Sequence, residues 1–281
     1  MIRLQSLALF AALGYPPTPV ELAIASSDGP IDPPMELVRG RIVFKGEERM
    51  VAEHEARRLF LPRKLRKARR VVRWLARLSG IRFVALCNTT SLGHARDEGD
   101  LDFFIVTRSG SIWQSRLCAT LPFKILGIRP KPGMSERDAV CLSYFVDDTH
   151  LDLASHMLEH DDPYFRHWFL SLLPLYDDGV SVQLWHANTA ILSRHPSAMP
   201  WIPNQDLLVK PARVTLPVFA WLERPAKWLQ YKLFNTRIKQ AMNKDTSVIV
   251  HDHVLKFHVD DGREKFRQAY RDICTKYGIA P

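Results

Sequence analysis

The stretch CNTTSLGHARDEGDLDFFIVT, Cys87 to Thr107, decides how this chain is read. It sets Asp100 and Asp102 at the mouth of the apolar run Phe103–Val106, directly after a loop of small and polar residues. A strand buried on both faces reads as a continuous apolar run. Two carboxylates at its entrance cost desolvation energy unless something cationic meets them. Side chains alternate along a strand, so Asp100 and Asp102 point the same way and repel unless they share a cation. Oxygen-only ligands at that spacing suit Mg²⁺, or Mn²⁺ in its place, held by one or two carboxylates plus substrate phosphates. Asn88 and Thr89 open the loop with polar side chains and backbone N–H groups suited to cradling a phosphate. Strand, phosphate loop and Asp-x-Asp strand form a device for metal-assisted attack on a nucleotide α-phosphate.

The surroundings are those of a globular protein. The chain has 281 residues, 46% hydrophobic and 25% charged, which is enough to bury a sizeable core and excludes wholesale disorder. No apolar run is long enough to span a bilayer. The N-terminal MIRLQSLALFAALG lacks a small-x-small cleavage site and reads as an amphipathic helix rather than a signal peptide. Cys87, Cys118, Cys141 and Cys274 are scattered without a C-x-x-C pair, which predicts reduced thiols and a cytoplasmic location. A net charge of +9 favours anionic partners: nucleotides, nucleic acid or a membrane surface.

Three regions are expected. Residues 1–60 read as helix, capped helix (Thr18, Pro19, Glu21) and hairpin, the outline of a degenerate winged helix whose groove-reading helix should fall in SSDGPIDPPMELV. Residues 61–180 carry the basic helix FLPRKLRKARRVVRWLARLSG, with Leu65, Ala68, Val72 and Leu75 as its apolar stripe. Strands follow at IRFVALC, DLDFFIVT and AVCLSYFV, with a fourth at THLDLA, and a helix over DPYFRHWFLSLLPLY. Residues 181–281 are mainly helical, with a β-like run at SVIVHDHVLKFHV. The fold class is α+β: a small mixed sheet with flanking helices and a helical C-terminal region.

The stretch NTTSLGHARDEGDLDFFIV resembles the signature of the polymerase-beta-type nucleotidyltransferase superfamily, a Gly-Ser turn, a variable loop and Asp-x-Asp in an apolar strand. The basic helix, CLSYFV and LKFHVDDGREKF are similar to those of a bacterial group with such a domain, and the resemblance runs from Arg63 to the C-terminus. It departs at Asn88, where the family has Gly; Asn tolerates positive φ, so the turn survives, but its side chain narrows the approach to a phosphate. Thr89 keeps the hydroxyl of the family's Ser. The resemblance implies Mg²⁺-dependent transfer of a nucleotidyl group from an NTP such as ATP to an acceptor (protein, RNA or small molecule). Asp100 and Asp102 would then hold the metal, Asp152 would be the third carboxylate with Asp147 behind it, and Asn88, Thr89 and Arg96 would contact the triphosphate. The alternatives are a catalytically silent nucleotide-sensing module on the same fold and, third, a DNA-binding regulator.

Three further stretches attract attention. HMLEH, His156 to His160, matches an inverted zinc-peptidase pattern, but Asp161, Asp162 and Pro163 end any helix there, and surface histidines are expected. In HDHVLKFH, a strand would put His251 and His253 on one face and His258 on the other, so one ion cannot take all three. Lys256 reads equally as a phosphate ligand or a snorkelling surface side chain. In WLERPAKWLQYKLF, Trp221, Trp228 and Tyr231 are expected to pack inward rather than lie on a membrane.

Overall fold

The computed structural model describes residues 2–26, 31–129 and 135–280. The chain opens with α1 (Ile2–Ala12), α2 (Pro19–Ala25), the hairpin β1 (Met35–Val38) and β2 (Arg41–Phe44), and α3 (Arg49–Arg58). The capping box at Thr18 and Glu21 forms as its spacing predicts. The stretch where a groove-reading helix would fall is rich in Pro and Gly and too short for one, and it supplies β1; part of it, residues 27–30, lies outside the described residues.

Next come α4 (Leu61–Leu75), β3 (Ile81–Leu86), the one-turn α5 (Asn88–Ser91), β4 (Leu101–Thr107), α6 (Ile112–Ile125) and β5 (Val140–Asp147). They are followed by α7 (Pro163–Leu170), β6 (Leu173–Asp177), α8 (Ser181–Ala187), α9 (Thr189–Leu192), α10 (Ala220–Leu233), α11 (Thr236–Ala241), β7 (Val248–Val250), β8 (Val254–Phe257) and α12 (Arg263–Lys276). Six strands make one mixed sheet in the order β6-β3-β4-β5-β8-β7, in which only β4 and β5 run parallel, joined through α6. This is the α+β class with a small mixed sheet.

Alternation along β3 and β4 buries both faces. Val84, Leu86, Phe103 and Ile105 pack under α4 and α6, with Ala68, Val72, Leu75 and Trp113. Phe83, Ala85, Phe104 and Val106 meet Phe165, Trp168 and Phe169 of α7 on the other side. Asp102 has the parity of Phe104, so it faces α7. A third core joins α1 and β2 to Tyr270 and Cys274 of α12. Packing therefore runs across the expected boundaries at residues 60 and 180, because β7 and β8 complete the central sheet and α12 returns to the N-terminal segment.

Two elements differ from expectation. The helix expected across Asp162–Tyr176 stops at Leu170, and β6 begins at Leu173. Pro174 would break a helix interior, whereas β6 lies at the edge of the sheet, where a missing N–H is tolerated. The expected strand at THLDLA is a turn leading to a short 3₁₀ segment at Ala154–His156. No helix among the described residues is long and apolar enough to cross a membrane. Trp221 and Trp228 do not pack inward as expected; they are 71% and 61% exposed on α10, and only Tyr231 turns in, against Trp113.

The basic helix α4 has two sides. Arg66, Arg70 and Arg73 are exposed to solvent. Lys64 is fully buried, donating to Asp138 Oδ1 at 2.9 Å and to the carbonyl of Gly99 at 2.5 Å. Arg63 adds bonds to Asp138 and Asp97. Burial works to raise the Asp138 pKa, but the Arg63 and Lys64 hydrogen bonds prevail and hold it below its usual value. Removing one partner of a buried pair strands the other charge. Asp138→Ala is expected to lower stability by about 3 kcal/mol near neutral pH, read from urea midpoints. Because the folded-state pKa is depressed, this contribution is present above an unfolded aspartate's pKa of about 4 and is lost on acidification below it.

Candidate active site

The site forms where β3 leaves the sheet beside the start of β4. The Cys87 N–H bonds to the Asp102 carbonyl at 3.1 Å, and the chain then turns at Asn88 with φ +58°. This is the left-handed conformation that Asn tolerates. The Asn88 amide Nδ2 donates to Asp102 Oδ2 at 2.7 Å, while its Oδ1 accepts from the Tyr164 hydroxyl at 3.0 Å. Asn88 is therefore a strut between α7 and the carboxylate.

Asp100 and Asp102 are partly buried and share a cleft of about 540 Å³. Burial raises the pKa of both. For Asp100 the Asp102 charge and then Glu136 add to burial; for Asp102 the Asn88 and Cys141 hydrogen bonds work against it. Among the described residues, neither carboxylate forms a salt bridge with Lys, Arg or His. The β4–β5 register sets Cys141 opposite Asp102, and an irregularity there keeps Tyr144 opposite Phe104. Bulges of this kind re-aim side chains next to sites. Asp100, Asp102 and Cys141 bring their ligand atoms within 4.8 Å of one another. Burial, followed by Asp102 and Asp100, pushes the Cys141 thiol well above its usual pKa. Two carboxylates without a salt-bridge partner among the described residues, with Glu136 lining the same cleft, form a donor set that fits a hard divalent cation.

Two cations line the same cleft. Lys256, at the end of β8, is 1% exposed and donates to the Thr246 carbonyl at 2.7 Å. Burial, then the Arg263 charge, lowers its pKa to about 7. Arg263 opens α12 and is held by Asp162 at 2.9 Å and by Asp261. Burial works against its charge, but the Asp261 hydrogen bonds prevail and raise its pKa. Both cations lie over the Phe165 ring, at 5.4 and 5.9 Å. His258 lines the same cleft and bonds to Ser143 Oγ at 3.0 Å; burial, then Lys256, drops its pKa to about 3 and keeps it neutral.

Of the residues singled out in the sequence, Asp100, Asp102 and Asn88 line this cleft. Thr89 and Arg96 are exposed and lie outside its lining. Asp152 does not join the pair: it is exposed, and its Oδ1 accepts from the Ala154 N–H at 2.9 Å, capping the turn that replaces the expected strand. Asp147 lies six residues beyond Cys141 on β5, roughly 20 Å away at about 3.3 Å per residue. Cys141, Glu136, Tyr164 and Arg263 were not singled out. Arg263 sits in the quoted LKFHVDDGREKF, and Cys141 is found only once the β4–β5 register is known. Lys256 lines the cleft and is no surface side chain. His156 of HMLEH is buried rather than on the surface, with its Nδ1 bonded to the Tyr144 hydroxyl at 2.6 Å, and no helix spans 156–160.

A carboxylate whose folded-state pKa is raised destabilises the fold once pH exceeds its unfolded value. Asp100→Asn is therefore expected to stabilise the metal-free protein by about 1 kcal/mol at pH 7. The gain should shrink as pH falls towards about 4 and disappear below it, where both states hold the proton, as measured by denaturant unfolding across pH. A variant less stable than wild type at pH 7 without metal would contradict the strained-pair account.

Comparisons with protein-family models, with curated proteins and with solved structures return no match for this chain.

Proposed function

We propose that the chain transfers a nucleotidyl group from an NTP to an acceptor, using a divalent cation, Mg²⁺ or Mn²⁺, held by Asp100 and Asp102. The observation that carries this reading is the meeting of both charge signs in one cleft. A same-facing carboxylate pair with no salt-bridge partner among the described residues and the buried cations Lys256 and Arg263 line the same space. A triphosphate–metal complex presents the complementary charges. The volume of about 540 Å³ lies in the range of small-molecule sites.

Each residue then has a task. Asn88, braced by Tyr164, fixes the orientation of Asp102. Lys256, with its pKa lowered to about 7, gains its full charge when an anion enters, and Arg263 is charged throughout. Together they neutralise the pyrophosphate that departs as the bond from the α-phosphorus to its bridging oxygen breaks, while the acceptor oxygen, its proton passing to solvent, bonds to that phosphorus. The cation, when bound, supplies charge neutralisation at the phosphate oxygens and orients the nucleotide. Phe165 and Trp168 keep the inner wall apolar, which strengthens these interactions.

A second reading has its own observation. The position facing Asp102 across the β4–β5 ladder carries a thiol held in its protonated form, not a third carboxylate. This favours a module that binds metal and nucleotide without turning over.

Calorimetric titration with each NTP, with and without Mg²⁺, tests the shared premise. Wild type should bind in a metal-dependent manner, and Asp100→Asn/Asp102→Asn should lose that binding. Lys256→Met should weaken the Mg–NTP complex roughly tenfold, the worth of one charge-assisted contact. No metal-dependent binding by wild type would overturn both readings. Binding without transfer of label from an α-labelled NTP to protein, RNA or water would select the second. Mg²⁺ binding near neutral pH should also release about one proton from the carboxylate pair, seen as a buffer-dependent heat.

A further inference from the structure

The far end of β5 carries a second group of ligating side chains, apart from the cleft. Asp147 ends the strand, is fully buried, and forms no salt bridge with Lys or Arg among the described residues. Its Oδ1 accepts from the Thr149 N–H at 3.0 Å, the Thr149 hydroxyl at 2.7 Å and His150 Nδ1 at 3.1 Å. Its Oδ2 accepts from His253 Nδ1 at 2.7 Å. The two imidazoles come from different turns, the one after β5 and the one between β7 and β8. They stack with centroids 3.8 Å apart and planes 19° from parallel. The Asp147 N–H bonds to the His253 carbonyl at 2.9 Å, which locks the two turns together.

We propose that Asp147, His150 and His253 form a binding site for a divalent transition ion of the imidazole-preferring kind, Zn²⁺ foremost, bound through both Nδ1 atoms and an Asp147 oxygen. The ligand atoms of the three residues already lie within 4.8 Å of one another. Thr149 alone gives Oδ1 two donors, so the His150 ring is not needed to satisfy that oxygen, while Oδ2 is left to His253. Ordering two half-exposed imidazoles on one carboxylate costs rotamer freedom, which a shared ion offsets. The mixed nitrogen and oxygen donor set suits zinc better than magnesium, which distinguishes it from the all-oxygen pair of Asp100 and Asp102. Proton accounting is neutral: each ring gives up its Nδ1 proton and takes one from water at Nε2. Being half-exposed, the rings are free to turn about Cβ–Cγ as the ion enters.

The same ends of the sheet surround a pocket of about 430 Å³, lined by His150 and His253 with His251 and Asp245. Three protein ligands leave at least one coordination position open, and this pocket supplies the room and the further donors to fill it. The ion would pin the β7–β8 turn to the end of β5. The inference stands independently of nucleotide chemistry, since none of its residues lines the cleft.

The test is a Co²⁺ titration of the full chain followed by visible absorption, with Zn²⁺ competition and thermal unfolding alongside. Wild type and Asp100→Asn/Asp102→Asn should each take up one ion at this site, show ligand-field bands that Zn²⁺ displaces, and unfold at higher temperature with Zn²⁺. His253→Ala and His150→Ala change half-exposed rings outside the core; each should weaken the ion at least tenfold and abolish the thermal shift. Absence of Co²⁺ or Zn²⁺ binding by wild type would overturn the proposal. So would binding that is lost in Asp100→Asn/Asp102→Asn but unchanged in both histidine variants.

Discussion

Two carboxylates held side by side at the mouth of β4 set the terms for everything around them. Their mutual repulsion and their burial act in the same direction, so the folded chain carries an electrostatic deficit at this point. The scaffold holds the pair in place without neutralising it. Lys64 and Arg63, the nearest cations of α4, are spent on Asp138, Asp97 and the Gly99 carbonyl, which fixes the loop immediately before Asp100. Asn88 contributes a neutral amide to Asp102 rather than a charge. A fold that met the pair with its own lysine would leave nothing for a cation to do.

The cations of the cleft show the same economy. Lys256 and Arg263 come from β8 and α12, far along the chain from β4, and they reach the cleft because β8 pairs with β5. Arg263 is bridged by two carboxylates, so its charge is secured; Lys256 is not bridged among the described residues, and burial leaves it easily neutralised. One fixed and one responsive cation facing a carboxylate pair is an arrangement that gains most when an anion and a cation enter together. The aromatic layer of Phe165, Trp168 and Tyr144 keeps water out of the inner wall and raises the strength of every charge interaction there.

Much of this was legible in the sequence because it is local. The 3.6-residue spacing in α4, the period of two in β3 and β4, the capping box at Thr18 and the punctuation at Asn88 are decided by neighbours within a few positions. The same locality explains the errors. Pro174 ends a helix whether or not a sheet edge is waiting for it, and only the sheet makes it a strand residue. Asp152 and Asp147 are the carboxylates expected to complete the pair from a later strand, but they cap a turn and close the far end of β5. The amphipathic pattern of α10 does not reveal which face finds a partner, and Trp221 and Trp228 are left in solvent.

What the sequence by itself determined was the α+β class, the entrance of β4 and the shared face of Asp100 and Asp102, since strand geometry allows no other outcome for residues two apart. The tertiary structure alone decided what stands opposite them. Register is a long-range quantity, and it set Cys141 beside Asp102. The β5–β8 pairing carried Lys256 and Arg263 into the cleft and His253 onto Asp147. Burial, which no local pattern fixes, made Lys256 a wall of the site rather than a surface charge.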